Sequence, residues 1–207
     1  LFAGDIAAFL ATDATLLHDL RELLDQQFSR LTLLEREVLY WLGIERELVT
    51  LETLHQNLVY KAPQVQLLEA LRSLRRRSLI EHHQDGFSLS NVVLGYITER
   101  LVNLIVAEFE AEMPLMLASY ALLKTQSKEY LRETQVRLIV APILEHLQRA
   151  SSGAELTAKI ERMLHSLHDN PLPVDNYCAG NLLNLLVYLP TDLAKRDFSH
   201  LYIRQAS

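Results

Sequence analysis

Four arginines grouped before the middle of the chain, Arg72, Arg75, Arg76 and Arg77, are its sharpest local charge feature. On a helix laid in the major groove, such residues meet phosphates and base edges. Three features argue against duplex binding here. Glu69 shares the helix, the net charge is −6, and four cations fall short of the roughly 6–10 phosphate contacts that firm binding uses. The other reading is an exposed helix end whose cations favour the C-terminal dipole and meet a neighbouring acidic surface.

The remaining chemistry-bearing residues do not assemble into a catalytic signature. Of eight histidines, His82 and His83 are adjacent and His165 and His168 fall at i, i+3 on a helix face. Cys178 is the only cysteine and is distant, whereas a zinc site wants three or four convergent ligands. No metal is therefore expected, and these read as ordinary surface histidines. The six glycines, at 4, 43, 86, 95, 153 and 180, are too isolated for a P-loop or a dinucleotide fingerprint. No Gly-x-Ser-x-Gly elbow occurs. The expectation is a segment that is not an enzyme by itself and has no cofactor of its own.

What must position these residues is a helical scaffold. The chain has 207 residues, 49% of them apolar and 22% charged, the profile of a globular protein. A chain of this size needs no disulfide or metal for stability, and one cysteine makes no internal bridge, which favours a reducing compartment, by default the cytoplasm. The longest uncharged stretch, Asn176–Thr191, falls short of a membrane span. There are 44 leucines against 9 isoleucines and 12 valines, which favours helix over sheet because β-branched residues lose χ1 freedom in a helix. Charge is even along the chain. Residue 1 is Leu with no leader behind it, so the sequence reads as an excised fragment of a longer protein.

Periodicity then places the elements. Leu16, Leu17, Leu20, Leu23, Leu24 and Phe28 form a stripe on a first helix started by Thr12 or Asp13. Thr32 and Glu35 form a capping box for a helix predicted to run to Leu42 and end at Gly43. A short helix follows Thr50, and a third, longer one begins near Pro63 and carries Leu67, Leu68, Leu71 and Leu74 on one side. After Arg77 two short runs flank Asp85-Gly86, a pair suited to a type I′ turn, and a helix from Asn91 to Phe109 closes the unit. Beyond Glu112, helices are expected from Pro114, around Pro142, over Glu155–Leu167 and over Tyr177–Leu189, with Pro142 bending or breaking its helix. The fold class is mainly α: a winged helix-turn-helix with a small β-hairpin, followed by an α-helical bundle or arm.

Residues Leu31–Leu42, Leu68–Glu81 and Phe87–Leu89 resemble the winged-helix subdomain of NB-ARC-type ATPases. These belong to the STAND class of signalling switches, and the resemblance is to bacterial members that carry a C-terminal WD-repeat propeller. Leu1–Ile6 looks like the segment just after the ATPase core's helical subdomain. Gln135–Leu144, Ala179–Leu186 and Phe198–Leu201 resemble the helical connector leading into the propeller. The resemblance divides the chain into a helical lead-in over residues 1–30, a winged-helix domain over 31–110 and a helical connector over 111–207.

The resemblance implies a regulatory role. In such ATPases the winged helix folds back over bound ADP, a Met-His-Asp-like motif after the wing contacts the β-phosphate, and exchange for ATP permits oligomerisation. That motif falls on Leu89-Ser90-Asn91, so Ser90 and Asn91 are the nucleotide-sensing candidates. A hydrogen bond to a charged group contributes about 1.5–3 kcal/mol and a neutral pair about 0.5–1.5, so this substitution predicts weaker coupling of nucleotide to the wing. The same two residues also suit simple capping of the helix from Val92 onward. ATP or ADP with Mg is expected in the full-length parent, with an upstream NB-ARC core and a downstream WD-repeat region as partners in cis and a homo-oligomer of the whole. The competing expectation is a transcription regulator whose Arg72–Arg77 helix reads DNA while the C-terminal half dimerises or binds an effector. A third is a helical adaptor that exposes Leu183, Leu186 and Val187 to a partner.

Overall fold

The computed structural model describes residues 6–169, 176–190 and 201–206, with side chains from residue 18 of the first helix and up to residue 167 of the helix that ends at Asp169. The expected readings at Leu1–Asp5, in the Asn170–Pro173 loop, at the His168 side chain and at Phe198–His200 lie outside the described residues. Among the described residues the chain is mainly helical, with one small two-stranded antiparallel sheet.

Helix α1 spans Ile6–Ser29. It is already under way well before Thr12 and Asp13, which therefore do not start it. Helix α2, Leu33–Glu45, begins as the capping box requires: the Thr32 hydroxyl accepts from the Glu35 amide while the Glu35 carboxylate accepts from the Thr32 amide at 2.7 Å. It does not stop at Gly43. A Cβ at that position would lie 2.8 Å from Ile97 Cγ2, so the glycine serves a close helix crossing, and the stop is made three residues later by Arg46 in the left-handed region at φ 58°.

Helices α3, Leu51–Asn57, and α4, Gln64–Arg76, follow. Leu67, Leu71 and Leu74 are buried as expected, and Leu68 is half-buried. Strands β1, Glu81–His83, and β2, Gly86–Ser88, then pair with His83 opposite Gly86. The connection is therefore Gln84-Asp85, and neither takes a positive φ, so the expected I′ turn centred on Asp85-Gly86 is not formed. Gly86 is needed for a different reason: a Cβ there would sit 2.6 Å from the Val49 carbonyl oxygen. Val49 and Phe87 exchange both backbone hydrogen bonds, each 2.9 Å, which ties the segment between α2 and α3 to the hairpin.

Helix α5, Asn91–Ala111, packs against α2 and is the long central element. Helix α6, Leu115–Ser119, is short. Helix α7, Glu129–Gln135, runs without interruption through a π-turn, Val136–Val140, into α8, Ala141–Ala150. Pro142 therefore does not break it. The Ala141 amide reaches back five residues to the Val136 carbonyl, and that widened winding relieves the clash a proline ring makes with the carbonyl four residues earlier in an ordinary α-turn. Helix α9, Gly153–Asp169, starts at a second capping box between Ser152 and Glu155.

Helix α10, Cys178–Val187, is buried on every side from Cys178 to Leu186. Leu183 and Leu186 are thus core residues rather than the exposed contacts an adaptor needs, and of the three only Val187 is exposed. One hydrophobic core runs from Leu24 to Leu189. Within it, edge-on ring contacts link Phe28, Tyr40, Tyr120, Trp41 and Tyr177, joining α1, α2 and the start of α10. Among the described residues no helix is long and apolar enough to cross a membrane.

Candidate functional site

The arginine cluster divides in two. Arg72, Arg75 and Arg76 are exposed on α4, and none makes an ion pair among the described residues. Arg77 is half-buried beside Glu35. Burial alone would raise the Glu35 pKa, but hydrogen bonds from Ser73 and Thr32 and the Arg77 charge outweigh it and hold the carboxyl below its ordinary value. Arg77 therefore supports the start of α2, while the other three face solvent.

The histidines of the hairpin are used locally. His82 stacks on Phe87 with ring centroids 5.0 Å apart, and His83 Nε2 lies 3.0 Å from Ser88 Oγ. No group of three potential metal ligands gathers among the described residues.

Ser90 occupies the N-cap position of α5, with extended backbone at φ −63° and ψ 155°, yet its side chain makes no cap hydrogen bond. Its position matches the capping expectation and its hydroxyl does not do the capping. Asn91 is exposed and lines clefts on both flanks of α5, one shared with His18, Leu20 and Leu24 of α1, the other with Arg46 and with Pro142 and His146 of α8. The start of α5 is thus a ridge between two grooves, directly after the hairpin.

A third set of polar residues was not anticipated from the sequence. Glu45 at the end of α2 accepts from Lys124 Nζ and, at 2.6 Å, from Asn57 Nδ2. Gln135 donates to the Ile44 carbonyl at 2.9 Å and accepts from the Lys124 amide at 3.0 Å. Tyr177 donates its hydroxyl to the Asn57 carbonyl. Asn181 uses its amide nitrogen for the Leu117 and Tyr120 carbonyls and its oxygen for the Leu122 amide. Buried polar groups must be satisfied in this way; the bonds of Lys124, Gln135 and Tyr177 to Glu45, Ile44 and Asn57 fasten the C-terminal helices to the end of α2 and α3, while Asn181 ties α10 to the segment 117–122. A signal was present in two asparagines, Asn181 and Asn184, inside an otherwise apolar helix, where burying an amide is tolerated only with partners.

The His83–Ser88 contact is an exposed pair on the hairpin, and the geometry offers no metal cradle among the described residues. It offers an exposed basic helix face, a bare helix start, and a rigid joint. No protein-family model matches the chain, and no solved structure matches it. A protein of Nostoc sp. (strain PCC 7120 / SAG 25.82 / UTEX 2576), named as an uncharacterized WD repeat-containing protein, is 35% identical over 242 aligned residues, which cover 99% of this chain and 19% of that protein. The chain spans about a fifth of the length of the relative it matches, and it is similar to one segment of a WD repeat-containing protein.

Proposed function

We propose that this chain is the winged-helix unit and helical connector of a STAND signalling ATPase, a regulatory and non-catalytic segment. It transmits the nucleotide state of an upstream NB-ARC core to a downstream WD-repeat region by docking within the same polypeptide in the cytoplasm. The observation that carries the reading is the reciprocal Val49–Phe87 bridge. The resulting order of helix, bridge strand, helix, helix and hairpin supports a winged-helix reading over a plain helical bundle with a β-turn. Similarity along nearly the whole chain to a segment of a WD repeat-containing protein supports the multidomain parent.

Docking geometry follows from the elements. Ser90 stands directly behind the hairpin with its hydroxyl uncommitted to the cap, where it can accept or donate to a phosphate presented by the core. The polar joint around Glu45 and Lys124 makes the wing unit and the connector move together, which a transmitter requires.

The test is to read the native gene on both sides of this segment and to assay the full-length product. A P-loop upstream, WD repeats downstream, and weaker ADP retention in Ser90→Ala are the expected results. A reading frame with no P-loop upstream overturns the proposal. The exposed faces of Arg72, Arg75 and Arg76 favour DNA binding as the second reading. A gel shift at two salt concentrations separates the two, because a duplex binder loses affinity steeply with salt.

A further inference from the structure

The cleft between α5 and α8 holds a charge arrangement that the docking role does not explain. Arg46 reaches it from the left-handed C-cap of α2, where the backbone is fixed at φ 58°. Its Nη2 donates to Thr98 Oγ1 at 2.7 Å, and the Thr98 hydroxyl in turn donates to the Leu94 carbonyl at 2.7 Å. Thr98 is therefore fully engaged in holding the guanidinium in place. The Arg46 Nε–H is buried with no partner, and Arg46 makes no ion pair among the described residues.

Arg137, on the π-turn, does not line the cleft, but it is exposed and without an ion pair among the described residues, and its charge adds to burial in lowering the Arg46 pKa. The one carboxylate lining the cleft, Glu99, is already paired with Arg21. His146 stands at the rim with Nδ1 donating to the Pro142 carbonyl at 2.7 Å, which leaves Nε2 for another partner. A half-buried guanidinium with no carboxylate partner is unfavourable unless an anion completes it.

The cleft has the size and lining for a ligand that would do so. Its volume is about 500 Å³, inside the range typical of small-molecule sites. Leu94, Val102, Leu138 and Pro142 supply apolar walls beside the polar groups.

We propose that this cleft binds a small ligand with an oxyanion, phosphate or carboxylate, on an apolar body, the oxyanion seated on the Arg46 guanidinium and the body against Leu94, Val102 and Leu138. Ser90 does not line the cleft, and binding is read on this chain alone, so the proposal stands or falls apart from the nucleotide-switch reading.

The experiment titrates the 207-residue chain with phenyl phosphate, benzoate, inorganic phosphate and neutral benzyl alcohol by calorimetry. Saturable binding of phenyl phosphate or benzoate is expected, at least tenfold tighter than inorganic phosphate, with no binding of benzyl alcohol. The tighter of the two aryl anions identifies the oxyanion. Arg46→Gln should weaken binding at least tenfold, and Leu138→Asp, which sets a carboxylate on the wall, should weaken it at least as much, while Arg72→Gln leaves it unchanged. Leu138 lines the cleft and is exposed, so its variant tests the site even where Arg46→Gln does not fold. Absence of saturable binding by both aryl anions, or binding indifferent to Leu138→Asp and to a folded Arg46→Gln, overturns the proposal.

Discussion

The ammonium of Lys124 rests against the carboxylate of Glu45, two side chains 79 positions apart in sequence and only 17% and 8% exposed. Asn57 supplies the second donor to the same carboxylate oxygen. Removing one partner of a buried pair strands the other charge, whereas replacing both with apolar groups is often close to neutral. Lys124→Met should therefore destabilise the chain by about 3 kcal/mol, and adding Glu45→Leu should recover much of the loss. Urea denaturation of the two single variants and the double variant measures the coupling. Strictly additive losses would mean the pair is not the joint described here.

Burial pushes the Glu37 carboxyl up to about 7. Its folded pKa is above its unfolded value, so the contribution is fully present below the unfolded pKa near 4.5 and is lost as pH rises towards 7. Discounted for the partial exposure of this half-buried group, the effect is about 1–2 kcal/mol. Glu37→Gln should be more stable than the parent at pH 8 by that amount and flatter between pH 5 and 7. Melting curves across that range check both the sign and the window.

Gly180 lies under the returning segment 201–206. A Cβ there would stand 1.9 Å from the Arg204 carbonyl oxygen, while Asn184 donates to the Gln205 carbonyl and Gln205 accepts from the Thr125 amide. Gly180→Ala must push that segment off α10, at about 1–3 kcal/mol. Faster amide exchange at Thr125, with the hairpin unchanged, is the expected signature.

Cys178 is wholly buried, and burial, reinforced by the Glu108 charge, pushes its thiol up to about 12. The thiolate is the reactive form, so the native chain should resist a disulfide reagent at pH 8. Its modification rate should follow global unfolding across a denaturant series. Rapid labelling of the folded chain would contradict the packing of α10.

Features set by near neighbours were readable from the residues alone. Thr32 and Glu35 started α2 because a capping box is complete within four residues, and the leucines of α4 fell on the side their spacing requires. Gly43 and Pro142 misled because their roles depend on partners far away or on an unusual turn: Ile97 crosses at the first, and the π-turn accommodates the second. Ser90 was placed correctly at a helix start, but its unused hydroxyl is a matter of geometry. Arg46 attracted no notice in the sequence, since a lone arginine after a helix acquires meaning only when Thr98 and the apolar wall of Leu138 and Pro142 are brought beside it.

The rod from Glu129 to Ala150 keeps its two working faces in phase because one widened turn absorbs a surplus residue. Ahead of Val136 it sends Gln135 to the Ile44 carbonyl, and after Val140 it sends Ile143, Leu144 and Leu147 into the core. Ordinary winding of the same residues would turn the later face by about 100° relative to the earlier one, and the widened turn takes up that rotation. Losing one residue there together with the widening would leave the two faces nearly aligned, whereas forcing standard winding at unchanged length would pull one of them off its partners.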